Sequence, residues 1–121
     1  MRGTQPAMEV TLFAGAQSTK AVGIFDSGSV LTIFSPEHAD LIGIDDVRTG
    51  TPERITTLGG SIDVYMFDLE IQLAGVGPRF SGQIGFFAGH SPRNILGRSL
   101  IFDAFEIGFH ERGQHVNLRP E

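Results

Sequence analysis

The chain has 121 residues, 40% hydrophobic and 19% charged, with sixteen glycines, ten phenylalanines and no cysteine; that is room for one domain with one core, and the balance argues against both disorder and a membrane class. A formal net charge of −5, with nine scattered basic residues of which one is a lysine, would repel a phosphate backbone, so nucleic acid is not an expected partner. The lack of cysteine excludes a disulfide framework and thiolate zinc sites, and leaves the redox compartment open.

No apolar run approaches the roughly 20 residues of a membrane-spanning helix, and the first six residues lack the apolar stretch of a signal peptide. No membrane partner is therefore expected, and a cytoplasmic location is favoured. Glycine at this level beside so many phenylalanines points to tight turns between short apolar strands.

In chain order, residues 8–14 are rich in strand formers, residues 15–20 read as a polar turn, and residues 21–25 form a second apolar run, together a hairpin aimed at Asp26. Residues 30–34 are again rich in strand formers. Ser35 as N-cap, Pro36 at the first helical position, Glu37 and Asp40 near the positive end and Gly43 as the stop then describe one short helix.

Residues 44–54 are polar and read as loop. Residues 54–58 and 62–73 look like strands around Gly59, Gly60 and Ser61, which makes a hairpin with a pliable tip. A turn at 75–78 leads into an apolar run at 80–87, a loop containing Ser91, Pro92 and Arg93, and the segment 94–98. Residues 105–109 and 115–118 alternate around Arg112 and Gly113, a closing hairpin. The chain is thus expected to be mainly β, a single domain over 1–121, with no internal repeat or linker.

A carboxylate emerges at the end of an apolar strand where Ile24 and Phe25 lead into Asp26, Ser27, Gly28 and Ser29. Asp, Ser and Gly are common turn residues, and on composition alone a turn accounts for them. About seventy residues on, Ile95 and Leu96 precede Gly97 and Arg98, followed by Ser99, Leu100, Ile101 and Phe102. With these two marks in this order, and a glycine-tipped hairpin between them, the chain resembles the retropepsin-like aspartic proteases over about residues 8–119.

The resemblance implies a small closed barrel with one short helix, in which the Asp26 loop and the segment through Gly97 cross in a ψ-shaped motif. It implies a flap over residues 54–67 with Leu58, Gly59 and Gly60 at its tip. It also implies a homodimer, because two carboxyls about 3 Å apart must share one proton to act as base and acid on a peptide bond, and this chain carries a single such motif. In that scheme Asp26 of each chain is catalytic, Ser27 bridges the two active-site loops, and Gly28 belongs to the same turn. Ser29 is expected to donate to the carboxylate and favour a more acidic optimum. Gly97 permits a close backbone approach, and Arg98 is a supporting residue. The expected substrate is an extended polypeptide with apolar residues beside the scissile bond, and neither metal nor cofactor is required. Val30 departs from the retroviral pattern, which has an Asp there paired with the arginine corresponding to Arg98, so Arg98 needs another partner.

Other motifs have plainer readings. His110, Glu111 and His115 have the wrong spacing for a zinc helix and enclose Gly113. The glycines at 75 and 77 lack the rest of a dinucleotide fingerprint. His90 and Ser91 are adjacent without a nucleophile elbow, and Asp45 with Asp46 reads as a solvated loop. The rival to an aspartic endopeptidase is a non-catalytic peptide-binding or dimerisation module that keeps the same fold.

Overall fold

The computed structural model describes residues 6–26, 28–57, 59–73, 76–91 and 93–100. Strand β1 (Ala7–Ala14) pairs antiparallel with β2 (Gln17–Phe25), with Ala14 opposite Gln17. The connection is therefore just Gly15 and Ala16, with Gly15 at φ 61, a conformation that glycine adopts without strain and that two-residue hairpins favour. The expected turn over 15–20 is shorter than its polarity implies: Gln17 to Lys20 continue the strand opposite Ala14 to Thr11, and they are polar because they are mostly exposed.

After β3 (Ile33–Phe34) comes helix α1 (Pro36–Leu41). Ser35 occupies the N-cap position with an extended backbone, and Glu37 lies in the first turn, but the Ser35 hydroxyl makes no capping bond. It donates to Glu37 instead, and accepts from the backbone N–H of Ser91. The helix stops where Gly43 takes φ 88, as a left-handed glycine after a helix does.

The stretch expected to be loop, 44–54, contains a 3-10 turn (Val47–Thr49), capped by the Asp46 carboxylate, and the start of β4 (Thr51–Thr57). Pro52 is tolerated in β4 because, among the described residues, that strand pairs with β5 alone, and an edge strand can spare a donor. Strand β5 (Gly60–Leu73) is followed by β6 (Val76–Phe87) and β7 (Ile95–Leu96); residues 98–100 are helical.

Among the described residues the chain is mainly β, a seven-stranded mixed sheet in the order β1-β2-β7-β3-β6-β5-β4, with a further pairing between β1 and β5. Parallel pairs join β2 to β7 and β3 to β6. Strand β5 pairs with β6 from Val64 onward; on its other edge it pairs with β4 over its first half and with β1 over Glu70–Leu73.

Val10, Leu12, Phe34, Ile71, Ile84, Phe86 and Leu96 form the heart of the core, each at most 1% exposed. Phe86 is in ring contact with Phe34 and Phe67. A second, smaller cluster of Ile33, Val64 and Met66, with Leu31, Ile55 and Phe87 against it, joins the β4–β5 hairpin to the segment that follows Asp26. No helix of the described residues is long and apolar enough to cross a membrane. The closing hairpin expected from 105–109 and 115–118, and the residues at 110, 111 and 115, lie outside the described residues.

Candidate active site

Asp26 is the first residue beyond β2. Ile24 and Phe25 pair in parallel with Ile95 and Leu96, and the Asp26 N–H continues the ladder by donating to the Leu96 carbonyl at 3.1 Å. The chain then folds back. The Gly28 N–H donates to Asp26 Oδ1 at 2.9 Å, and the Ser29 N–H donates to the Asp26 carbonyl at 3.0 Å, so the carboxylate is held by its own loop and stays exposed.

The return limb lies against the segment after β7. The Arg98 N–H donates to the Ser29 carbonyl and the Ser99 N–H to the Val30 carbonyl, each at 2.9 Å. Gly97 donates its N–H to Thr32 Oγ1 at 2.9 Å, and Thr32 is fully buried. A Cβ on Gly97 would sit 2.2 Å from the Leu31 carbonyl oxygen, so glycine is required there for the approach rather than for a special φ.

A cavity of about 350 Å³ opens beside the carboxylate, lined by Asp26, Gly28, Ser29, Val30, Leu31, Ile33, Ile55, Thr56 and Ile95. Asp26 is the one ionisable side chain among these residues; most of the others are apolar. Ile55 and Thr56 come from β4, so the hairpin and the Asp26 loop bound one space. Thr57 pairs with Gly60 across the hairpin turn, and Gly60 has φ 125. Gly59 lies in that turn. Ser27 and Leu58 lie outside the described residues.

Two expectations about supporting residues change. The Ser29 hydroxyl donates to the Leu31 carbonyl at 2.8 Å, because the reversal at Gly28 turns Ser29 toward its own return limb rather than toward the carboxylate. Arg98 is exposed, and its guanidinium makes no ion pair among the described residues. Its structural contribution is the backbone bond to Ser29. Val30, where an acidic partner for Arg98 is absent, is 54% exposed.

A second polar cluster lies outside the lining of this cavity. His90 Nδ1 is 2.7 Å from Glu37 Oε2, and Ser35 donates to the other Glu37 oxygen. These bonds, Ser35's first and His90's second, hold the Glu37 carboxyl down to about 2. His90 therefore faces an acid, while the Ser91 hydroxyl donates to the Arg93 carbonyl at 2.9 Å, so the two neighbours form no nucleophile and base. Asp46 serves the 3-10 turn, accepting from the Arg48 N–H at 3.0 Å.

Sequence reasoning missed Thr32, Glu37 with His90, and Asn94 as connecting residues. Their partners are 53 to 72 residues away in the chain, so no local spacing signals them. A scan against models of known protein families gave no match, and neither did a search of curated proteins.

Proposed function

We propose that this chain is one half of a homodimeric aspartic endopeptidase of the retropepsin-like kind, cleaving polypeptide bound in extended form beside Asp26. The observation that carries the reading is the pairing of the Asp26 loop with the segment through Gly97 beside a largely apolar cavity that the β4–β5 hairpin helps to line. The two sequence marks that motivated the resemblance are thus brought into hydrogen-bond contact. The run of pairings that returns from β5 to β1 supports a small closed barrel as the frame.

The chemistry follows from what the cavity contains. A water attacking a peptide carbonyl must lose a proton while the carbonyl oxygen gains one, and a single carboxylate cannot do both in one step. Asp26 of a second chain, brought opposite by a two-fold axis, supplies the other group; close together the two share one proton, so one is base and the other acid. The apolar lining from Val30, Leu31, Ile33, Ile55 and Ile95 favours apolar side chains beside the scissile bond, and the strand-like backbone of the hairpin offers donors and acceptors to an extended peptide.

The test is cleavage of a mixed peptide library between about pH 4 and 7 by wild type and Asp26→Asn, with and without pepstatin, over a range of protein concentrations. Cleavage that rises faster than linearly with protein and vanishes in Asp26→Asn supports the reading. A folded dimer that cuts nothing favours a peptide-binding module, and activity that survives in Asp26→Asn excludes the mechanism.

A further inference from the structure

Asn94, the residue before β7, ties three elements together. Its Oδ1 accepts from the Ser35 N–H at 2.9 Å, and its Nδ2 donates to the Val22 carbonyl at 2.9 Å and lies 3.2 Å from His38 Nε2. Its own carbonyl accepts from the Ile24 N–H at 2.9 Å. Ser35 N–H can only donate, which fixes the oxygen end of the Asn94 amide; the other end is NH2, and His38 Nε2 must then accept. The ring is neutral, with its proton on Nδ1. That nitrogen is buried without a partner among the described residues, and the Phe34 ring stands edge-on to the imidazole at 6.0 Å.

These bonds lead straight to the candidate site. Ile24 lies two residues before Asp26, and Leu96, two residues after Asn94, accepts the Asp26 N–H. A protonated His38 would turn an N–H toward the Asn94 NH2, donor against donor, and the amide would have to rotate away from Val22 or Ser35. We propose that Asn94 is a positioning residue for the Asp26 loop, and that protonation of His38 releases its hold, giving the loop an acid-side switch separate from the Asp26 carboxylates.

The charges around His38 fit this direction. Burial disfavours the imidazolium and lowers the pKa below the ordinary 6.5, with the neighbouring Glu37 on α1 opposing it. From the loop after β6, His90 occupies the far oxygen of Glu37. From β2 and β6, on which α1 packs, no charged side chain acts on His38 among the described residues. The consequence for cleavage rests on the protease reading, whereas the coupling itself does not.

The experiment is amide and imidazole NMR from pH 4 to 8 in the Asp26→Asn background, which removes the titration of the proposed dyad. In that variant the backbone amides of Ile24 and of position 26 should shift with the same midpoint as the His38 ring, below 6.5. In a further His38→Gln variant, whose side-chain oxygen still accepts from Asn94 but does not titrate, that transition should be lost. Asn94→Asp, which offers a carboxylate to the imidazolium, should raise the His38 midpoint and carry the amide midpoint with it. Amides that do not titrate with His38, or that keep their transition in His38→Gln, overturn the proposal. With the Asp26 carboxylate restored, His38→Gln should extend cleavage to lower pH than wild type. If the wild type cleaves nothing, the protease reading fails while the NMR result stands or falls by itself.

Discussion

Gly97 lies so close to Leu31 that a Cβ on the glycine would stand 2.2 Å from the leucine's carbonyl oxygen, and 2.8 Å from that of Val30. Both obstacles are backbone, so neither can yield by a rotamer change. Gly97→Ala should therefore cost about 3 kcal/mol or more, at or above the upper end of ordinary overpacking, seen as a lowered urea midpoint. Gly15→Ala is the control: it has φ 61 and nothing within 4 Å, so only left-handed strain of roughly 1 kcal/mol applies. Equal losses in the two variants would remove the crossing from the account of stability.

Thr32 holds the same crossing from the side chain. Replacing it with Val keeps the shape but leaves the Gly97 N–H buried without an acceptor, which costs about 1–3 kcal/mol. Thr32→Ser keeps the acceptor and should lose only about 1 kcal/mol for the missing methyl group. A Thr32→Val variant as stable as wild type would mean that the hydroxyl contributes nothing.

On the proposed reading Asp26→Asn should abolish cleavage, and it should leave stability within about 0.5 kcal/mol of wild type, because the side chain is exposed and an amide oxygen can still accept from the Gly28 N–H. Calorimetry run beside the library assay separates a lost reaction from a lost fold.

Glu37 sets an acid dependence of stability. Its carboxyl titrates at about 2 in the folded chain against an ordinary 4.5, so the unfolded chain takes up the proton first as pH falls. The stabilisation is complete above 4.5 and is lost progressively between 4.5 and about 2. The side chain is 55% exposed, so the effect is small and should shrink further in salt. Comparing urea midpoints at pH 6 and pH 3 checks it: wild type should lose more than Glu37→Gln, and an equal loss would assign the acid sensitivity to other groups.

The parts of the fold legible in the sequence are those governed by neighbours in the chain. The strand ending at Phe25, the helix between Ser35 and Gly43 and the hairpin around Gly59 and Gly60 each carry local turn or capping chemistry, and each stands where that chemistry puts it. Gln17 to Lys20 and Thr51 to Glu53 were hidden because exposed strands are polar, and polarity alone reads as loop. Of the site, Asp26 and Gly97 announce themselves by residue type. The directions of hydroxyl groups do not: Ser29 donates to Leu31 and Ser35 to Glu37, each settled by which acceptor the folded backbone brings within reach.

Strand β5 is one unbroken run of 14 residues, about 45 Å at the usual rise. Its far end, Glu70–Leu73, is gripped between β1 and β6, while the stretch ahead of Val64 projects past the end of β6 alongside β4. One end of β5 is thus paired on both edges, and the other end on one edge among the described residues. On the proposed reading, a peptide entering beside Asp26 would press on Ile55 and Thr56, and so load the hairpin along the stretch that β6 does not hold.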